Sequence, residues 1–130
     1  MRFMINVTLC SFLVLCSLAI SGCGDGDSQE VDLSKPIGQV QAEAESMSTG
    51  ALRTMAKKYK EAIVERKGHI EQVTAKLKGI PAAEMMGEVA MELKSDLRNL
   101  ERSVAALKER FDIYYEKLKA AGGDLSGLEI

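Results

Sequence analysis

Residues 86–118 read MGEVAMELKSDLRNLERSVAALKERFDIYYEKL. Met86, Ala90, Leu93, Leu97, Leu100, Val104, Leu107, Phe111, Tyr114 and Leu118 fall at alternating steps of four and three. All ten are apolar or tyrosine, over more than four heptads. That period puts one continuous stripe along a single helix face, as in a coiled-coil seam. Glu84, Glu88 and Glu92 stand near the start, and Lys117 and Lys119 near the end. Both placements complement a helix dipole. We read a helix C over about 82–121, ended by Gly122-Gly123.

Upstream, Leu52, Ala56, Tyr59, Ile63, Arg66, Ile70, Val73, Leu77 and Ile80 repeat at the same spacing, with Arg66 the one charged member. This is helix B, about 50–78. Gly79 supplies a stop, and Pro81 prevents continuation. So short a connection forces B and C antiparallel, each stripe covering the other. At about 1.5 Å per residue C is longer than B, so it overhangs or is matched by something else. A shorter 3-4-3 pattern, Ile37, Val40, Ala44 and Met47, follows Pro36, with Ser34 as a candidate N-cap. This helix A, about 35–47, breaks at Ser46–Gly50, where Ser48 or Thr49 can cap helix B. Ala51, Met55 and Ala62 beside the B seam, and Ala106 and Ile113 beside the C seam, make a patch across which A can fold. A near-continuous A–B helix is the other solution. The expected fold is all-α: an antiparallel two-helix coiled-coil hairpin over 35–121 with a short additional N-terminal helix. The same heptads can also pair between chains.

The first 23 residues differ in kind. They read MRFMINVTLCSFLVLCSLAISGC, with one positive charge at Arg2 and an apolar run from Val7 to Ile20. That run suits a secretory h-region and is short for a membrane span of about 18–20 apolar residues. Ile20-Ser21-Gly22-Cys23 resembles the lipobox of bacterial lipoproteins: an aliphatic residue, two small residues, then Cys. The resemblance covers the leader and Cys23 only. It implies a signal peptide, residues 1–22, cleaved before Cys23. It also implies a diacylglycerol on the Cys23 thiol and an acyl chain, such as palmitate, on the new amino terminus. The protein would then be held on a membrane of the cell envelope. Gly24 stands where an Asp tends to retain such proteins at the inner membrane, so the resemblance favours the outer membrane, facing the periplasm, in a Gram-negative cell.

Residues 23–34 continue GDGDSQE after the cysteine and read as a flexible acidic tether. Cys10 and Cys16 lie in the leader, so Cys23 is the sole cysteine of the mature part and has attachment, not redox chemistry, as its expected role. The whole chain has 130 residues and a net charge of −2. Such a balance does not point to nucleic acid. Metal, cofactor and small-molecule substrate are not expected.

Few residues suggest chemistry. Arg66 reads as a register-setting ion pair with Asp96 or Glu101 across the hairpin. Arg53, Lys57, Lys58 and Lys60 form a basic face, either solvated and paired with Glu61 and Glu65 or offered to an anionic lipid or wall polymer. His69, the single histidine, reads as a boundary residue. The tail, 122–130, carries Leu125, Leu128 and Ile130 and either packs back on the hairpin or docks a partner. It ends without the C-terminal lysine by which murein-linked lipoproteins attach to the wall. The expected function is non-enzymatic: an envelope lipoprotein presenting a helical hairpin as a structural spacer or as an adaptor in a complex, through a protein partner or self-association. The alternative is a binding module for an anionic envelope ligand.

Overall fold

The computed structural model describes residues 31–130, so the leader and Cys23 lie outside the described residues. The described part is all-helical. Helix α1 is Ile37–Ser46, α2 is Thr49–Lys78 and α3 is Glu88–Ala120, with a single 3-10 turn, Ala82–Glu84, between α2 and α3. α2 and α3 pack closely together, and α1 packs on α3. Among the described residues no helix is long and apolar enough to cross a membrane.

Local chemistry sets the ends. Ser48 caps α2, its Oγ accepting from the Ala51 N–H at 3.3 Å. Met47 and Ser48 are both extended, so α1 and α2 are separate helices and not one continuous rod. α1 begins at Ile37, and Ser34 is not its cap. The Ser34 hydroxyl and N–H instead donate to Asp32, holding its carboxyl below the usual range, and Pro36 stands at the cap position without a side-chain bond. At the far end of α3, Gly122 takes φ of 68°, which suits glycine. The Gly123 and Gly122 amides return to the Leu118 and Lys119 carbonyls, closing the last turn.

Helix C is shorter than its heptads suggest. Gly87 is extended, so the helix starts at Glu88, and residues 82–84 form only a 3-10 turn. Two expectations fall with it. Met86 is not in the seam but 84% exposed, and the overhang shrinks, since α2 has 30 residues and α3 has 33, about 45 and 50 Å.

The core is concentrated toward one end. Leu52, Ala56, Tyr59 and Ile63 of α2 meet Leu107, Phe111, Tyr114 and Leu118 of α3. Val40 and Ala44 of α1 and Leu128 of the tail complete the cluster. Tyr59 and Tyr114 stack with ring centroids 5.5 Å apart, and Phe111 stacks on Tyr115 at 5.4 Å. Toward the turn the stripe continues through Ile70, Val73 and Leu77 against Leu93, Leu97 and Leu100. All six are only partly buried there.

Candidate functional site

Two sets of side chains decide what the helix pair can present. The first closes its base, the end that carries the Tyr59–Tyr114 stack. Arg110 of α3 is 6% exposed. Its Nη2 donates to the Leu33 and Lys35 carbonyls, both at 2.8 Å, and its Nη1 to Ala106 at 3.1 Å. One guanidinium fork thus fixes the segment before α1 to α3 about two-thirds of the way along that helix. The Arg110 Nε is buried and unpartnered. At the other end of α1, Lys117 pairs with Glu45 at 3.2 Å, and Lys35 pairs with Glu43 at 2.6 Å, which raises the lysine's pKa. α1 therefore runs along α3 from the level of Arg110 toward its C-terminus.

The tail closes the α2 side. Arg53 donates to the Asp124 carbonyl and, at 3.0 Å, to that of Ser126. It also pairs with the Asp124 carboxylate at 2.6 Å. Lys60 donates to the Gly127 carbonyl at 2.7 Å. Leu128 is buried and Leu125 packs on the core. The Ser126 amide, then Arg53, hold the Asp124 carboxyl below its usual range. Of the basic face read from the sequence, Arg53 and Lys60 thus bind this chain's own tail. Lys57 lies 3.9 Å from Glu61 on the exposed surface, and Lys58 is half-buried. Burial between these layers pushes the Tyr114 phenol up to about 12, with the neighbouring Tyr59 adding to the shift.

The second set lies toward the turn. Arg66, His69 and Lys76 of α2 face Asp96, Asn99 and Ser103 of α3 across a shallow open groove of about 480 Å³. Asn99 and Ser103 continue the same row of α3 as Ala106, Arg110 and Lys117, beside which α1 lies. Arg66 and Asp96 share the groove, but among the described residues no ion pair joins Arg66 to Asp96 or Glu101. Beyond it the turn exposes Met86, Val89 at 66% and Met91 at 60%. The Lys94 ammonium braces that turn by donating to the Met85 carbonyl at 2.9 Å.

Sequence reasoning missed Arg110. Its row was legible, because Arg110 stands between Ala106 and Ile113, the patch assigned to helix A. A charge inside an apolar patch is the signal that was available. Comparison of the chain with protein-family models, characterised proteins and solved structures finds no match.

Proposed function

We propose that this chain is a non-enzymatic envelope lipoprotein, anchored by lipid on Cys23. It displays an antiparallel coiled-coil hairpin, supplemented by α1, as a spacer or as an adaptor in a larger complex. The membrane is its first partner, and a protein partner or second copy is the next.

The observation that carries this reading is the uneven dressing of one helix pair. α1 and the tail cover the base, while toward the turn the stripe, apart from the buried Ala90, is only partly buried, and the turn exposes apolar side chains. A rod with a sealed base and an undressed far half suits presentation to something else. The antiparallel run is supported by paired levels: Tyr59 on Tyr114 near the base, and Arg66 to Lys76 opposite Ser103 to Asp96 nearer the turn. The leader motif supports the anchor, and the outer membrane is the favoured site in a Gram-negative cell.

The test has two arms. Mass analysis of the processed N-terminus should show an acylated Cys23 that a Cys23→Ala variant lacks; an unmodified mature cysteine sinks the anchor. A photo-crosslinker replacing Asn99 in intact envelopes should give adducts that one replacing Thr54, at the base, does not. Equal yields at both positions, or none, count against the presentation role. The anionic-ligand alternative loses support at its expected face, because Arg53 and Lys60 are occupied by the tail.

A further inference from the structure

We propose that the acidic segment 24–30 of this chain seats in the groove between Arg66, His69 and Lys76 of α2 and Asp96, Asn99 and Ser103 of α3. This deepens the adaptor reading and rests on it, because the segment is then the groove's resident until a partner displaces it.

The first argument is position. Arg110 holds the Leu33, Lys35 and Ala106 carbonyls together, so Leu33 lies beside α3 at the level of Ala106 and Arg110. From there α1 runs toward the base, where Glu45 meets Lys117. Ser103, Asn99 and Asp96 carry the same edge of α3 in the other direction and line the groove. The groove is thus the stretch of this edge that α1 leaves open, and it starts within a turn of the point where the preceding chain is pinned.

The second argument is length. From Ala106 to Asp96 α3 rises about 15 Å, and α2 rises the same from Arg66 to Lys76. At about 3.3 Å per residue, Glu30 lies within about 10 Å of Leu33, Asp27 within about 20 Å and Asp25 within about 26 Å. The segment can therefore run the whole groove while the Arg110 clamp and α1 stay in place.

The third argument is charge. Arg66, His69 and Lys76 face a single carboxylate, Asp96. Among the described residues neither Arg66 nor Lys76 has an ion pair. Residues 24–30 read GDGDSQE and bring three carboxylates and no cation. Exposed ion pairs in a shallow groove are each weak. A short covalent connection offsets this, because it presents the segment at about millimolar effective concentration. Contacts too weak to capture a free peptide are then enough to hold this one.

The test uses the full, processed protein, purified in detergent without other proteins. Ser28→Cys keeps all three carboxylates and is paired with Asn99→Cys, in the groove, or with Arg102→Cys, one turn nearer the clamp but outside the groove. Both α3 positions are exposed, and circular dichroism checks that each variant folds. A segment that is merely tethered reaches residue 102 at least as easily as residue 99. A seated one should form the intramolecular disulfide with residue 99 at least about fivefold faster, and the preference should vanish in 1 M salt, where charges are screened within about 3 Å. Adding Arg66→Glu and Lys76→Glu should abolish it as well, with the reach unchanged. Equal rates at 99 and 102 in low salt, or a preference that salt and charge reversal leave intact, overturn the proposal and leave the adaptor reading standing. Disulfide-linked dimers through residue 99 in place of the intramolecular bond assign the groove to a second copy and also overturn it. A Cys23 thiol that proves free refutes the anchor alone, and the same pairs then report on the groove with the remaining native thiols changed to serine.

Discussion

Tyr59 and Tyr114 meet near one end of the helix pair, and Val73 and Leu100 flank a groove nearer the other. The seam that carries both pairs has one period along its length. Yet Tyr114 is 1% exposed, while Val73 and Leu100 are only partly buried. The difference lies in what flanks the seam. Two helices in contact enclose a single row of side chains and leave both edges wet. At the base α1 covers the edge along α3 and the tail covers the edge along α2, so the same heptad positions become a core. A seam thus says where two helices meet, and its flanks decide how much that meeting stabilises.

The comparison breaks most sharply with one substitution made twice. Leu118→Ala at the base should cost about 3–4 kcal/mol, because a fully enclosed site loses the side chain and keeps a cavity. Leu97→Ala, only partly buried toward the turn, should cost about 1 kcal/mol, since water already reaches it. Urea unfolding of both checks this, and equal losses would mean that the two halves are equally well packed.

Arg110→Ala should cost about 2–3 kcal/mol, leaving the Leu33 and Lys35 carbonyls without their donor. It should also speed amide exchange in α1, which distinguishes loss of the clamp from general weakening. Arg110→Lys should restore little, because an ammonium lacks the planar fork that spans these carbonyls.

Gly123→Ala sharpens the role of the tail. An added Cβ would lie 2.1 Å from Leu118 Cδ1 and 3.2 Å from the Leu118 carbonyl oxygen. We expect a loss of about 1–3 kcal/mol, with the tail amides losing protection before α1.

The smallest effect is a pH dependence. The folded Asp124 pKa lies below its ordinary 3.8. Its contribution is therefore complete above that value and is lost as pH falls through the folded pKa. The Leu128 amide, which donates to Leu125, should begin to exchange faster below about pH 3.8 by nuclear magnetic resonance. Asp124→Asn should remove that dependence, and a persistent one would point to another acid.

These contrasts mark what was legible in the sequence. Periodicity located α2 and α3, because burial of one face imposes the repeat whatever covers its flanks. Ser48 and the glycines after Ala120 marked helix ends, because capping is local. The start of α3 was misread by carrying the heptad through Gly87, a residue that weakens helices. The clamp was harder to see. Arg110 reads as a surface charge, and its carbonyl partners at Leu33 and Lys35 carry no side-chain signature and lie far away in sequence. Arg53 and Lys60 likewise look like a basic face until the tail's carbonyls are placed beside them. Backbone acceptors are the same for every residue type, so sequence patterns are silent about them.

The claim that the base is sealed and the half toward the turn is not can be tested directly by residue-resolved hydrogen exchange on the intact protein. Amides at the centre of α2 and α3 facing the base, around Ala56–Ile63 and Leu107–Leu118, should exchange at least about tenfold more slowly than those around Ile70–Val73 and Leu97–Leu100, as local opening follows local burial. Uniform protection along both helices would contradict the account. It would mean that the far half is as firmly held as the base and has no undressed face to offer.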